Sequence, residues 1–415
     1  MKLPARQVYV LLSASSALFN ALMFTVLPVY FVATVRLDAL QLVLVGTVLE
    51  GSVLLLEVPT GVLADTYSRR LSVIAGMAAL GAGFLLTGLA PHFGWILAAQ
   101  VINGLGYTLL SGALDAWLAG EIGAQAVGTM YLRAGQIARV SGVVGVLGSM
   151  YFGSIYPGLP YTLGGALYLL LAGILAVIMP ETGFVKSEAR AAGRLNPLRD
   201  MQATFRAGAA AMRGSPLLIA LAGVVFFLGA SSEGWDRLAE PHLLTGFGLP
   251  FGDLPPVVWL GAFEIASLLV TLGVVEALRR RLERVTGDTG RTARWLLGVT
   301  LGFAALSLLF ALAGPFWLAI TVYMLRGTLR SVLTPLYDSW VVQHVDARVR
   351  ATMISMINQT DALGQIAGGP VVGAVGLRSL RAALALSAAL LVPAAGLFAR
   401  ARGQKPAEGI RLETE

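Results

Sequence analysis

Charged side chains interrupt several long apolar stretches of this chain, where placing an ionisable group costs free energy. Glu50, Arg139, Arg326 and Asp361 lie near the middle of four such stretches when depth is estimated at ~1.5 Å per helical residue. A charge at the centre of a bilayer costs about 2.5–3.5 kcal/mol on insertion scales, so such groups commonly contact substrates, ions or protons. The alternative is that the arginines and carboxylates pair with one another and merely join helices.

A second group of charges lies within eight residues of one stretch. Its members are Glu233, Asp236, Arg237 and Glu240, and their spacing places them on one face of a helix. Two carboxylates can neutralise Arg237, which leaves a third that can bind and release a proton. Glu264 has a similar depth on the next stretch and is a candidate partner of Arg237. Gly229, Gly234 and Pro241 weaken the helix, as in the broken helices that line transport sites, but a purely structural gate fits the pattern equally well.

Neutral polar residues add weaker candidates, and several kinds of chemistry are unsupported. Asn20, Asn103 and Tyr107 could line a polar cavity or form hydrogen bonds between helices. The chain has no cysteine and three widely separated histidines, so we expect no metal site or cofactor. It also has no nucleotide-binding loop of the form G-x-x-x-x-G-K-[ST] and no grouping of Ser, His and Asp, so we do not expect an enzyme.

The elements that must position these residues are membrane helices. The 415 residues are 56% hydrophobic and only 13% charged, against about a quarter charged in soluble domains. The apolar runs do not alternate with polar residues, which argues against a membrane β-barrel. We therefore predict an all-α integral membrane protein with twelve transmembrane helices in two pseudo-symmetric six-helix bundles. The predicted helices are 7–34, 38–62, 71–90, 94–119, 128–154, 160–180, 216–245, 255–279, 294–313, 316–342, 350–376 and 380–400.

The distribution of Lys and Arg predicts the orientation in the membrane. With the N-terminus inside, 22 of the 30 Lys and Arg residues fall in inner segments and 3 fall in outer loops. This bias predicts that both termini lie in the cytoplasm, and it explains the net charge of +7 without a nucleic-acid partner. We expect a multi-pass protein of a prokaryotic plasma (inner) membrane. The predicted domains are a bundle at 1–180, a linker with an amphipathic helix at 181–215, a bundle at 216–402 and a tail at 403–415.

The chain also contains an internal repeat. When the sequence is shifted by 223 residues, its two halves align without gaps over the fourth and fifth helices of each half. The pairs are Gly104 with Gly327, Asp115 with Asp338, Trp117 with Trp340, Gln136 with Gln359 and Gly145 with Gly368. Parallel repeats of six helices are one of the ways in which membrane transporters are built.

A short charged loop between the second and third helices carries the most specific pattern. The segment Gly61-Val-Leu-Ala-Asp65-Thr-Tyr-Ser-Arg69-Arg70 matches most of G-x-L-A-D-x-x-G-R-[RK], with Ser68 in place of the usual glycine. It resembles the corresponding loop of major facilitator superfamily transporters. The preceding Glu57-Val-Pro59-Thr-Gly61 extends the resemblance to the drug/proton antiporter-like branch. Two features depart from that branch, because Gly369-Pro370-x-x-Gly373 lies in helix 11 rather than helix 5, and Gln100 stands where many proton-coupled members have arginine.

The resemblance implies a conformational latch and a working cycle. By resemblance, Gly61, Asp65, Arg69 and Arg70 form the latch loop, Asp115 engages Arg69, and Asp338 plays the same part in the second half. The family resemblance further implies alternating access, in which two bundles rock around a central site, and a monomeric protein without a cofactor.

These inferences lead to one expected function and its rivals. We expect a secondary transporter that exports lipophilic or amphipathic small molecules against a proton gradient, because the cavity helices are mainly apolar and carry a few acids. The alternative is proton-coupled uptake of a small polar or anionic solute, which Arg139 and Arg326 favour unless Glu50 and Asp361 neutralise them. A membrane sensor or enzyme is a remote third possibility. In each case the expected partners are a small-molecule substrate and the lipid bilayer.

Overall fold

The computed structural model of this chain describes residues 2–184, 216–247, 252–286, 289–344 and 350–401. The regular secondary structure of these residues is helical, and we number the helices α1 to α12 in chain order. They are α1 (Ala5–Phe24, Leu27–Val29 and the wider turn Tyr30–Thr34), α2 (Ala39–Thr66), α3 (Arg69–Leu89), α4 (Phe93–Leu110 and Ala113–Ile122), α5 (Ala124–Ile155), α6 (Leu159–Ile178), α7 (Pro216–Thr245), α8 (Pro256–Thr286), α9 (Thr289–Leu312), α10 (Phe316–His344), α11 (Arg350–Gly376) and α12 (Leu380–Ala389 and Leu391–Ala401).

The predicted all-α fold with twelve membrane helices is confirmed. Within the described residues, nine of the helices are long and apolar enough to cross a membrane by length and composition alone. The other three, α7, α10 and α11, carry charged residues near their centres, such as Glu233, Arg326 and Asp361, which lower their mean hydropathy. The predicted boundaries lie within a few residues of the observed ones at most helix ends, but α8 extends seven residues beyond its predicted end at residue 279.

Helix packing repeats between the two halves of the chain. In the first half, α1 packs against α5 and α6, and α3 packs against α4 and α6. In the second half, α7 packs against α11 and α12, and α9 packs against α10 and α12. The same order of neighbours is the structural counterpart of the sequence repeat.

Residues matched by the repeat also have matched surroundings. Trp117 in α4 and Trp340 in α10 are almost fully buried, at 2% and 1% exposure. Gly145 lies where α5 approaches the backbone of α1 at Leu18, and Gly368 lies where α11 approaches α7 at Ala230. Because a glycine has no Cβ, it permits this close approach of two helix backbones, which is how small residues act in membrane helix packing.

The chain divides into two compact units that do not follow the midpoint of the sequence. Unit 1 comprises Met1–Leu37, Val48–Asp200 and Phe251–Ile265, and unit 2 comprises Asp38–Thr47, Met201–Pro250 and Ala266–Glu415. The first turns of α2 therefore belong to the second unit, and the first turns of α8 belong to the first.

Three sequence-based predictions fall wholly or partly on parts of the chain about which the structure says nothing. The amphipathic linker helix falls within residues 185–215, and the C-terminal tail falls within residues 402–415; both lie outside the described residues. Asp338 lies on α10, but its side chain is also outside the described part.

Candidate functional site

Arg326, near the middle of α10, is enclosed by aromatic rings. Its guanidinium carbon lies 3.6 Å from the ring centre of Trp235 on α7 and 3.9 Å from that of Phe303 on α9. Its Nε donates a hydrogen bond of 2.7 Å to Ser307 Oγ, and the side chain is only 2% exposed. A cation between two aromatic faces is stabilised by both ring quadrupoles, so Arg326 joins three helices without a carboxylate in hydrogen-bonding contact among the described residues.

A second arginine, one turn further along α10, pairs with α7. Arg330 Nη1 donates to both carboxylate oxygens of Asp236, at 2.9 and 3.0 Å. Tyr323, one turn before Arg326, donates a hydrogen bond of 2.7 Å to Glu240 Oε1 on α7. The predicted acidic face of α7 is thus divided, because Asp236 and Glu240 turn towards α10.

The other two charged residues of α7 pair within their own helix. Arg237 Nε donates to Glu233 Oε1 at 3.0 Å, and Glu233 is 2% exposed. Gly46 at the start of α2 leaves the space that this pair occupies, because a Cβ there would overlap both side chains. Gly369 on α11 lies against the same carboxylate side chain, with its missing Cβ 3.0 Å from Glu233 Cγ. The predicted pairing of Arg237 with a carboxylate of its own helix is therefore observed. The helix is not broken at Pro241, since α7 runs continuously from Pro216 to Thr245.

Asp361 lies near the middle of α11 and does not neutralise Arg326. Its Oδ2 accepts a hydrogen bond of 2.8 Å from Gln365 Nε2, one turn away on α11. Its backbone packs against Gly229 of α7, where a side chain would collide with the Asp361 carbonyl oxygen. Of the two alternatives left open by the sequence, pairing of Arg326 with a carboxylate is not what the described residues show, because its contacts are two aromatic rings and Ser307.

Arg139, the central arginine of unit 1, has a different environment. It lies at the middle of the 32-residue helix α5 and is exposed. No hydrogen bond or ion pair joins it to another described residue. Val146 and Met150 follow it by 7 and 11 residues, spacings that return to the same helix face. Both contact α8, because a Cβ at Gly261 would lie 3.2 Å from Val146 Cγ1 and 2.6 Å from Met150 Cγ. Arg139 therefore lies on the face of α5 that is directed towards α8.

Glu264 follows Gly261 by one turn on α8 and is also exposed. Its Oε2 accepts a hydrogen bond of 2.7 Å from Thr25 Oγ1 on α1. The predicted contact of Glu264 with Arg237 would join the two units and stays a prediction.

Glu50, near the middle of α2, is half-buried and has an interaction partner, so it is not a free carboxylate.

The neutral candidates contribute mainly to helix packing. Asn20 Oδ1 accepts a hydrogen bond of 2.9 Å from the Tyr168 hydroxyl, which joins α1 to α6. Asn103 is 1% exposed and lies against Gly83 of α3. Tyr107 is half-buried and has an interaction partner. For Asn20, hydrogen bonding between helices, the structural alternative considered from the sequence, fits this contact.

The loop between α2 and α3 is fastened by groups outside its sequence pattern. Ser68 caps α3 by accepting a hydrogen bond of 2.9 Å from Leu71 N, and its hydroxyl donates to Glu181 Oε2 at 2.7 Å. Arg70 N donates to Glu181 Oε1 at 2.9 Å. A serine in place of the usual glycine is thus explained by a helix cap that also binds the carboxylate beyond α6.

Arg69 and Asp115 reach the same region without bonding to each other. Arg69 donates a hydrogen bond of 3.0 Å to the carbonyl oxygen of Ala116, and its Nη2 lies 3.8 Å from Asp65 Oδ1. Asp115 instead accepts a hydrogen bond of 2.7 Å from the Tyr131 hydroxyl. The expected Arg69–Asp115 pair is replaced here by a hydrogen bond from Arg69 to the backbone carbonyl oxygen of the neighbouring Ala116.

Gly61 is half-buried and has open space where a Cβ would stand.

Sequence reasoning missed several residues of these networks, among them Arg330, Tyr323 and Glu181. Arg330 and Tyr323 lie one turn on either side of Arg326, so their spacing was the available signal. Glu181 directly follows the end of the sixth helix, and only the chain path shows that it returns to α3. Within the described residues, no three or more His, Cys, Asp or Glu side chains converge as a metal site.

Two repeats of six membrane helices, with charged groups near the centres of several of them, define a polytopic membrane transporter. The family model of the Major Facilitator Superfamily matches residues 9–369, so the chain belongs to this family. The predicted membership is therefore confirmed, and the chain has the transport function and bilayer location of that family.

Relatives and solved structures agree on the fold. An uncharacterized MFS-type transporter YxaM of Bacillus subtilis is 24% identical over 87% of this chain and 86% of its own length. The facilitated glucose transporter member 10 of mouse solute carrier family 2 is 26% identical over 58% of this chain, which spans 47% of that protein. The crystal structure of the nucleoside transporter NupG has a TM-score of 0.73 at 16% identity, with 97% of this chain and all of that chain covered. A bacterial homolog of the human lysosomal transporter Spinster has a TM-score of 0.69 at 14% identity, with 97% of each chain covered.

Proposed function

We propose that this protein is a secondary active transporter that moves a small organic solute carrying a negative charge, coupled to protons. The observation that carries the proposal is Arg139, an exposed cation at the middle of α5 without a carboxylate partner among the described residues. An arginine at this depth is costly beside lipid, so it is expected to face the bundle interior or a water-filled path. Its position on the α8-directed face of α5 supports that placement.

An arginine suits this role because its guanidinium remains charged and binds carboxylates or phosphates through two parallel hydrogen bonds. Arg326 is unsuited to it, since aromatic rings and Ser307 already surround its guanidinium. Of the two central arginines that the sequence suggested as anion contacts, only Arg139 remains a candidate.

Glu264 is our candidate for proton coupling. Glu264 is an exposed residue whose carboxylate is partly buried, and its single hydrogen bond to a described group comes from the Thr25 hydroxyl rather than from a cation. Such a group can exchange a proton as water gains access from one side or the other. Because the chain has no nucleotide-binding loop, a proton gradient is the simplest source of energy.

Proton-coupled export of lipophilic or amphipathic compounds, as in the drug/proton antiporter-like branch, is the second candidate. Glu264 favours it too, because a carboxylate that no described cation contacts attracts cationic compounds. The two candidates differ in the charge of the substrate, so the charge preference decides between them.

The cycle we propose is alternating access by a monomer. Its bundles, 1–180 and 216–402, rock around the central site and are joined by the 181–215 linker. Both termini, including the tail at 403–415, lie in the cytoplasm of a prokaryotic cell with the protein in its plasma membrane. In this cycle Arg69 exchanges its bond to the Ala116 carbonyl oxygen for an ion pair with Asp115, and Asp338 acts as the counterpart in the second half. We propose neither an enzymatic activity nor a nucleic-acid partner.

The test is transport by the purified protein in proteoliposomes that contain a pH-sensitive dye. A pH gradient is imposed, and organic anions, neutral compounds and lipophilic cations of similar size are compared. We expect an anion to move protons across the membrane, Arg139→Gln to reduce anion transport and Glu264→Gln to uncouple proton movement from it.

Arg133→Gln is the matched control, because Arg133 is a second exposed arginine of α5 on a different face of the helix. It should leave transport unchanged. If lipophilic cations move protons and Arg139→Gln transports them as the parent protein does, the anion proposal is wrong and the export proposal gains. If Arg133→Gln and Arg139→Gln lose activity equally, the special position of Arg139 is refuted.

A further inference from the structure

A groove on the surface of unit 2 runs between α9 and α10 and has no part in the site described above. Its volume is about 540 Å³, and it is lined by Arg294, Trp295, Gly298, Val299, Gly302 and Leu329. Two of the lining residues are glycines, which present no side chain. A Cβ at Gly298 would meet nothing within 4 Å, and one at Gly302 would lie 3.4 Å from Leu329 Cδ2.

The surface that surrounds the groove is suited to lipid rather than to water. Leu301 and Leu309 on α9 are 50% and 44% exposed, and Leu325 on α10 is 47% exposed. Large apolar side chains exposed on a membrane helix face acyl chains. An open groove among them is filled in a bilayer, because an empty space would forfeit the dispersion contacts of its lining atoms.

One end of the groove carries positive charge. Arg294 is exposed, lies near the start of α9, and forms no ion pair within the described part of the chain. The sequence just before it is rich in arginine, with Arg279, Arg280, Arg281, Arg284 and Arg291. Clusters of basic residues beside membrane helices attract anionic lipid headgroups. Apolar lining at one end and positive charge at the other match the two parts of an anionic phospholipid.

We propose that this groove binds an anionic phospholipid, with one acyl chain across Gly298 and Gly302 and the phosphate at Arg294. Trp295 lies at the level of the headgroup, where tryptophan is common in membrane proteins. On the predicted topology, the lipid comes from the cytoplasmic leaflet. The site would hold α9 and α10 together, and these are the helices that carry Phe303 and Arg326. The proposal does not depend on the transported substrate.

The experiment measures lipid retention by the full-length protein in detergent, using native mass spectrometry and thermal unfolding. Phosphatidylglycerol and phosphatidylcholine with identical acyl chains are compared, and glycerol phosphate serves as a probe of the headgroup alone. We expect phosphatidylglycerol to be preferred about fivefold, the factor that corresponds to ~1 kcal/mol for one arginine near an anionic surface. Glycerol phosphate should not stabilise the protein, since it lacks the acyl chains.

Two variants separate the parts of the site. Arg294→Gln should abolish the headgroup preference while both lipids still bind, and Gly298→Leu should reduce retention of both lipids by filling the groove. Gly302→Ala repeats the second test with a smaller side chain in case the leucine variant folds poorly. The controls are Gly273→Leu, at another open glycine of unit 2, and Arg378→Gln, at an exposed arginine beyond the end of α11.

Some outcomes would overturn the proposal. Equal retention of the two lipids by the parent protein would show that Arg294 does not select a headgroup. Unchanged retention in both glycine variants would show that lipid binds elsewhere. Stabilisation by glycerol phosphate as strong as that by phosphatidylglycerol would indicate a site for a free phosphate compound.

Discussion

Arg139 and Arg326 occupy equivalent depths in the sequence-based scheme but opposite environments in the structure. Each lies near the centre of a long membrane helix. Arg139 is exposed on the α8-directed face of α5, without a bonded partner in the described part of the chain. Arg326 is 2% exposed, lies between Trp235 and Phe303, and bonds to Ser307.

The depth of a charged side chain in the membrane therefore predicts the free-energy cost of burying it, but not which contacts offset that cost. Arg326 meets it with cation–π contacts and one hydrogen bond, all supplied by its own unit. Arg139 can meet it only with water or a bound anion, as judged from the described residues. The first arrangement stabilises a helix bundle, whereas the second is suited to binding a substrate.

The largest expected effect comes from removing the buried arginine. Arg326→Ala deletes the side chain that fills the space between two aromatic rings, and it should lower the free energy of unfolding by about 2–4 kcal/mol. Arg326→Lys should recover only part of this loss, because an ammonium group cannot stack on both rings. Denaturant unfolding in detergent, followed by tryptophan fluorescence, measures both variants. An unchanged midpoint for Arg326→Ala would remove the distinction between the two arginines.

A smaller loss should follow when only the hydrogen bond to Arg326 is removed. Ser307→Ala leaves Nε of the buried guanidinium without its 2.7 Å acceptor, at an expected cost of about 1.5–3 kcal/mol. Ser149→Ala is the control, because Ser149 is also fully buried but its hydroxyl has no hydrogen-bond partner among the described residues. The same unfolding assay applies. Equal losses in the two variants would mean that the serine packs against Arg326 without stabilising its charge.

For the exposed arginine we expect the reverse pattern. Arg139→Gln should leave the unfolding midpoint unchanged and reduce kcat/KM for an anionic substrate about tenfold or more, as expected when a hydrogen bond to a charged group is lost. Arg139→Lys should retain part of the activity. Transport kinetics and unfolding are measured on the same preparations. A large loss of stability in Arg139→Gln would place this residue in the same structural class as Arg326.

The smallest effect concerns Arg330, one turn from Arg326. Its pair with Asp236 is partly exposed, with side-chain exposures of 51% and 40%. A double-mutant cycle with Arg330→Gln and Asp236→Asn should give a coupling energy of about 0.2–1 kcal/mol, because water screens an exposed pair. A coupling well above that range would mean that the pair is shielded in the membrane and contributes to the rigidity of the Arg326 cage.

Much of the fold could be predicted because its signals are local. Apolar runs of about 20 residues fix the helices, and a shift of 223 residues reveals the repeat. The repeat also matched Gly145 with Gly368, and each of them lies at a close approach of two helices. The site was less predictable, since pairing depends on which helices are neighbours. The sequence suggested carboxylates for Arg326 but gave no means to foresee that Trp235 and Phe303 would supply its contacts from two other helices.

The loop between α2 and α3 shows the same limit on a smaller scale. Its pattern identified the family, and the family model confirms that identification. Its fastening to Glu181 was not foreseeable, because residues 68 and 181 are brought together only when α3 and α6 pack side by side.

By itself, the sequence determined the membrane class, the twelve helices, the repeat and the family, because hydrophobic length and a local motif are properties of consecutive residues. Only the tertiary structure decided which charges are exposed and which are enclosed. Arg139 and Arg326 have the same side chain and a similar depth, and they differ because one helix face lies open and the other is covered by Trp235 and Phe303.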